Sequence, residues 1–495
     1  MVQEISFERR MSDAEGLMWR LEKDPQLSST FANVSILDRP PDIDRLRRRM
    51  ERATVVIPRL RQRVHSTPAN VSPPIWVEDS DFDIDFHVRR VALPAPGSMR
   101  QLLDYVTLVV ADPFDRTRPL WQFVVVEGLE GGRAALVEKL HHTIADGEGT
   151  VQLSLQFFDF ERDAPEPAPI DIDPARALLD ESHAHNEMWR DVVSGSLRLP
   201  LAMVRQVKDL VADPSSIPSH GASTIESLRV AMGQLTDVES ARSPLWTQRS
   251  TRRRAEVLRV PFIEVRDAAR RLGGTLNTAL LSAASDAAGR YHREFGAPVD
   301  DLRASMAVST RSRSDDSGSA NSFSLARFLV PTGELPPADR FRDIARRTDE
   351  ASASAGGSLA TIATLASSLP TALLTRVARL QAQTVDFATS NVKGTPIPVF
   401  VAGSEILHNF PIGPLGGVAF NLTLLSHVGS LDMGLNVDSA AVSHPDRLRE
   451  LLEESFDALV NATPQGKNSK AKRATAKRTA TKRTTTSRVA PKQSS

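Results

Sequence analysis

The stretch Trp121–Gly147, WQFVVVEGLEGGRAALVEKLHHTIADG, decides the fold. Residues Trp121 to Glu127 are aromatic and β-branched and read as a strand. Gly128-Leu129-Glu130-Gly131-Gly132 supplies a turn, and Arg133 to His141 returns as a second strand. The return ends in His141-His142-Thr143-Ile144-Ala145-Asp146-Gly147. Asp146-Gly147 breaks the strand, and Val151, Leu155 and Phe158 recur beyond it at helical spacing. Two adjacent histidines thus stand at a strand end. Histidine is the side chain whose proton moves most readily near neutral pH. Facing a cleft, it can take a proton from an alcohol, amine or thiol that attacks an activated acyl group.

Composition narrows the class. A chain of 495 residues exceeds one ordinary domain and can bury a large core. Its 41% hydrophobic and 25% charged residues are those of a soluble globular protein. Cysteine is absent, which excludes disulfides, a cysteine nucleophile and thiolate metal sites, and fits a reducing cytoplasm. The first ten residues carry charge and no apolar run, so no signal peptide is expected. No stretch of about 18 apolar residues exists, so no helical membrane span is expected. The net charge of zero hides an asymmetry. Residues 464–495 hold ten Lys and Arg and no acid; taking these ten from the 61 basic residues leaves 51 against 61 acidic ones.

Along the chain, residues 1–163 read as a first half bearing HHxxxDG. It has a helix near Asp13 to Glu22, an Arg-rich helix near Asp42 to Thr54, then strands and the hairpin. Residues 164–175 (APEPAPIDIDPA) are a proline-rich exit, and 164–250 form a crossover with an amphipathic basic segment from Met188 to Val211. Residues 251–463 read as a second half. Its expected elements are strand Glu256 to Val260, helices Ile263 to Arg271 and Asn277 to Phe295, and strand Arg303 to Ser309. Further helices reach about residue 387; strands follow at 396–407, 417–426 and 430–437, and a last helix spans Pro445 to Val460. The tail, 464–495, repeats Lys-Arg every five residues among Ala and Thr and is expected to be disordered.

HHxxxDG, preceded by Pro119-Leu120-Trp121, resembles the bacterial wax ester synthase/acyl-CoA:diacylglycerol acyltransferase family of the CoA-dependent acyltransferase superfamily. The likeness extends over roughly residues 10 to 460 in family order. It includes Pro58-Arg59-Leu60-Arg61, Gly274-Thr275-Leu276-Asn277, Val308-Ser309-Thr310-Arg311 with Asn321, and Ser390-Asn391-Val392-Lys393-Gly394. It closes with Pro411-Ile412-Gly413-Pro414, Asn421-Leu422-Thr423 and Leu431-Asp432-Met433-Gly434-Leu435. The resemblance implies an α+β fold: two chloramphenicol-acetyltransferase-like α/β sandwich halves around a central channel, joined by a helical crossover. It also implies transfer of a long-chain acyl group from acyl-CoA to diacylglycerol or a long-chain alcohol, making triacylglycerol or wax ester. No cofactor is implied, acyl-CoA being a co-substrate. The implied location is cytoplasmic and peripheral, on the inner membrane face or on lipid bodies.

By the same resemblance His142 is the general base, a role worth roughly 10²–10⁴-fold, and His141 packs or orients it. No acyl-enzyme is needed, and no GxSxG nucleophile elbow is present. Asp146 resembles an aspartate that pairs with an arginine, for which Arg311 is the candidate; it can equally cap the following helix. Gly147 supplies a backbone position or a space. Asn277, Ser390 and Asn391 are candidates for oxyanion contact or positioning, although Asn277 can also be a helix N-cap. Two departures stand out: Thr278 where the family has aspartate, and Lys393 where it has proline. Other readings remain. The histidines can simply cap a strand, or form a metal site with Asp146, though none is expected. The chain can be a non-catalytic acyl-lipid-binding relative, or use a different hydroxyl or amine acceptor. The basic tail can meet an anionic membrane or, through phosphates, nucleic acid.

Overall fold

The computed structural model describes residues 9–66, 74–144, 153–168, 241–309, 323–354 and 371–463. In chain order these form α1 (Asp13–Leu21), β1 (Thr30–Leu37), α2 (Ile43–Val56), β2 (Gln62–His65), β3 (Ile75–Glu78), α3 (Ile84–His87), β4 (Val88–Ala92) and α4 (Met99–Ala111). Next come β5 (Trp121–Leu129), β6 (Arg133–His141), β7 (Phe158–Asp159), β8 (Arg253–Pro261), α5 (Phe262–Arg271), α6 (Leu276–Glu294), β9 (Asp301–Ser309) and β10 (Phe323–Pro331). Helices α7 (Pro337–Ser354) and α8 (Thr371–Ala382) precede β11 (Phe387–Val392), β12 (Phe400–Val401), β13 (Ser404–Ile412), β14 (Phe420–His427), β15 (Ser430–Asp438) and α9 (Pro445–Val460).

Two large sheets result, ordered β4-β5-β6-β1-β13-β12-β7 and β10-β9-β11-β14-β15-β8. The expected hairpin is β5 and β6, antiparallel with Trp121 opposite Leu140. Strand β6 lies between β5 and β1, so its residues are covered on both edges. The alternation of β6 splits its side chains between two cores. Leu136 and Leu140 join α2, Trp121 and Phe157 on one face. Ala135 and Val137 join α4 and Ala255 on the other.

Three expectations need correction. Strands were expected from Thr54 to the hairpin, but Met99–Ala111 is helical. Its β-branched residues suit a strand locally. Ser98 and Gln101 nevertheless cap each other's backbone, and Leu102, Leu103, Val106 and Val109 bury one helical face. The helices expected from Ser309 to residue 387 are interrupted by β10, which pairs antiparallel with β9 along its length. The strand expected at 396–407 is short β12 followed by β13, and both add to the first sheet, where β13 pairs with β1. Local periodicity cannot reveal which sheet a strand enters.

Strand β13 brings the two sheets together. A Cβ on Gly434 of β15 would lie 2.0 Å from the Pro411 carbonyl oxygen of β13, so only glycine permits this approach. Beside it the Asn409 N–H donates to Asp432 at 2.7 Å, and the Asn436 side chain donates to the Gly413 carbonyl at 2.9 Å. Helices also span the halves. Arg379 of α8 forms a 2.5 Å ion pair with Asp24, just after α1. In the second half, α6 lies tightly against its neighbours because Ala279, Ala283, Ala284, Ala287 and Ala288 form its buried face. No described helix is long and apolar enough to cross a membrane.

Candidate functional site

The end of β6 is fixed from several directions. The His141 N–H donates to the Leu120 carbonyl at 3.1 Å, and the His142 N–H donates to the Ser29 carbonyl at 3.2 Å. Pro119-Leu120-Trp121 is therefore a foundation for the histidines. Trp121 is fully buried, donates from Nε1 to the Leu60 carbonyl at 2.7 Å and stacks on His87 with centroids 4.5 Å apart. Burial lowers the His87 pKa to about 4, so this ring stays neutral beneath the site.

The two histidines have different surroundings. His141 is 1% exposed. Its Nδ1 accepts from the Thr143 N–H at 3.2 Å and lies 2.8 Å from Thr143 Oγ1. Its Nε2 lies 3.1 Å from Glu22 Oε2. An acceptor at Nδ1 puts the ring proton on Nε2, an assignment drawn from this bonding pattern. His142 is only half-buried, and its ring packs against Phe31 with centroids 4.7 Å apart.

Glu22, absent from the sequence-based candidates, is central to this geometry. Its carboxylate also accepts from Ser28 Oγ at 2.6 Å and from the Ser29 N–H at 2.7 Å. Burial pushes this carboxyl up, but the hydrogen bonds from His141 Nε2–H, Ser28 and Ser29 outweigh it and hold the carboxyl below its ordinary range. The signal available in sequence was slight: an acid closing a helix, followed by Ser28-Ser29-Thr30. A second missed pair is Glu138-Lys139, two charges inside an apolar strand. Lys139 lies on the His141 side, donates to the Asp112 carbonyl at 2.7 Å and sits 4.4 Å from the Phe114 ring. Burial lowers its pKa to about 8.

In the second half, Asn391 Nδ2 donates to Asn277 Oδ1 at 2.7 Å, so two of the candidates meet. Asn277 is not the N-cap of α6. Thr275 is, in a capping box with Thr278. The Thr278 departure is therefore legible: its hydroxyl does at the third helical position what an acidic side chain does in other capping boxes. Ser390 lies next to Asn391 on β11, opposite Thr423 of β14. Lys393 is exposed, and a Cβ on Gly394 would meet the Ser426 carbonyl at 2.0 Å, so the loop needs that glycine. Asp146, Gly147 and Arg311 lie outside the described residues, as do Met188–Val211 and the basic tail. Among the described residues no three His, Asp or Glu side chains converge as a metal site would.

The architecture is similar to that of a solved wax ester synthase/diacylglycerol acyltransferase from Marinobacter aquaeolei. That likeness has a TM-score of 0.63 at 21% identity and covers 91% of this chain and 98% of the other. It is also similar to the first condensation domain of the calcium-dependent antibiotic synthetase, with a TM-score of 0.56 at 15% identity over 93% and 98% of the two chains. Two sheet-rich halves of this kind are the fold that the chain shares with these proteins. Residues 11–280 match the wax ester synthase/diacylglycerol acyltransferase catalytic domain, and 319–460 match the C-terminal domain of the same family. A putative diacylglycerol O-acyltransferase of Mycobacterium tuberculosis is 32% identical over 471 residues, covering 91% of this chain and 92% of that protein. The chain belongs to the wax ester synthase/diacylglycerol acyltransferase family and is an acyltransferase.

Proposed function

We propose that this acyltransferase moves a long-chain acyl group from acyl-CoA to the free hydroxyl of diacylglycerol, of a long-chain alcohol, or of both, with His142 as the general base. The observation that carries the assignment is the division of labour within the pair. His141 has both ring nitrogens engaged by Thr143 and Glu22, whereas His142 is the more exposed ring. In this reading the imidazole of His142 takes the acceptor O–H proton as that oxygen attacks the thioester carbonyl. The tetrahedral intermediate collapses to ester and CoA thiolate, and the same imidazolium returns the proton to sulfur. A thioester is already activated, so no acyl-enzyme is required. Asn277 and Asn391 are amide groups able to donate to a developing oxyanion. Substrates would reach His142 through the channel expected between the halves, and the protein would work peripherally at a membrane or lipid-body surface.

The test of the acceptor is product analysis. Palmitoyl-CoA is supplied with diacylglycerol, with hexadecanol and with neither. Triacylglycerol or wax ester formed with stoichiometric CoA release supports the reading and identifies the acceptor. CoA release without ester would mean hydrolysis, and so a different acceptor.

A further inference from the structure

We propose that Glu22 is a positioning residue for the histidine pair, resting on the acyl-transfer reading above: it holds the His141 ring directly and the His142 backbone through Ser29. One carboxylate reaches both histidines. Oε2 faces His141 Nε2 at 3.1 Å and accepts the Ser29 N–H at 2.7 Å, while the Ser29 carbonyl accepts the His142 N–H at 3.2 Å. Oε1 accepts from Ser28 Oγ at 2.6 Å and Thr30 Oγ1 at 3.3 Å, tying the turn into β1, whose Thr30 lies opposite His141.

The turn that carries Glu22 is anchored in the other half of the molecule. Arg20 Nε donates to Thr371 Oγ1 at 3.3 Å, and Asp24 accepts from Arg379 at 2.5 and 2.8 Å. Both partners belong to α8. The brace is thus built on helices rather than on a loose loop, which is what precise placement of a reacting group requires. A misplacement of about 1 Å can cost on the order of 10²-fold in rate. Glu22 also fixes a tautomer. A carboxylate has no proton to give, so it selects Nε2–H on His141 and leaves Nδ1 to accept from Thr143.

Glu22→Gln separates this role from simple packing. Its oxygen still serves Ser28 and Thr30, but its amide presents N–H where both His141 Nε2–H and the Ser29 N–H point. Expected are a kcat lower by about 10²-fold, with KM for palmitoyl-CoA and acceptor within about threefold, and a switch of the His141 tautomer in ¹⁵N spectra of histidine-labelled protein. Glu22→Asp recovers part of the lost kcat. In a His141→Asn background, Glu22→Gln costs clearly less than it does alone, because part of the effect runs through the His141 ring. Unchanged kcat in folded Glu22→Gln, or full additivity with His141→Asn, overturns the proposal. If the native protein transfers no acyl group at all, the functional reading is what fails. The tautomer measurement then still decides the brace: an unchanged His141 signal in Glu22→Gln refutes it.

Discussion

Replacing Glu138 by glutamine should stabilise the protein, and increasingly so as the pH rises. Glu138 lies in the middle of β6, 1% exposed, opposite Asn33 of β1. Asn33 Nδ2 donates to its Oε2 at 3.4 Å, while its Oε1 and Asn33 Oδ1 are both buried without a partner. One proton on the carboxyl satisfies both atoms, since Oε1–H can then donate to Oδ1 in a cyclic acid–amide pair. Burial accordingly raises the pKa to about 8, against an ordinary 4.5. The sign follows from linkage. Between these values the unfolded chain has lost a proton that the folded protein keeps, so native stability falls by ~1.4 kcal/mol per pH unit. The loss starts near pH 4.5, reaches about 3 kcal/mol at pH 7 and levels off above pH 8. Glu138→Gln keeps the shape and the donor but has no proton to lose. Urea unfolding of the two proteins between pH 5 and 9 reads the difference. A gap that widens by several kcal/mol up to pH 8 is expected. A gap constant across the range would refute the neutral buried carboxyl.

Other outcomes follow from single contacts. Gly434→Ala places a methyl against the Pro411 carbonyl and should cost at least roughly 1–3 kcal/mol, read by thermal melting; an unchanged melting temperature would contradict the close approach of the sheets. Thr278→Ala should cost about 1 kcal/mol through the capping box, whereas Thr278→Asp keeps the box, and neither should change acyl transfer more than a few-fold; a large gain with aspartate would show a catalytic rather than helical role. Asn277→Ala and Asn391→Ala should each lower kcat, by up to about 10²-fold if the pair serves the oxyanion, and the double variant should be no worse than the weaker single one. Strictly additive losses would mean that the two amides act separately.

The hairpin was legible because its signal is local: a β-branched strand, a glycine turn and an apolar return. The spans of α1, α2, α6 and α9 were legible for the same reason, from local amphipathic spacing. Long-range facts were not. Nothing near Phe400–Ile412 says that these strands leave their neighbours to pair with β1. Helix α4 hid behind residues that favour strands, and its capping box was the cue that outweighed them. The histidine pair announced itself, but Glu22 is 119 residues away from His141 and joins it only in the fold. Glu138 and Lys139 look like a solvated pair; packing over the two faces of the sheet makes them a buried one.

The division between the two histidines carries the account, and one assay addresses it directly. Purified native protein, His142→Ala and His141→Ala, each confirmed as folded, are given palmitoyl-CoA and the accepted alcohol, with acyl-CoA binding measured alongside. The account predicts that His142→Ala binds acyl-CoA normally and loses ester formation by roughly 10²–10⁴-fold, whereas His141→Ala retains a measurable rate. Undiminished transfer by folded His142→Ala would contradict it.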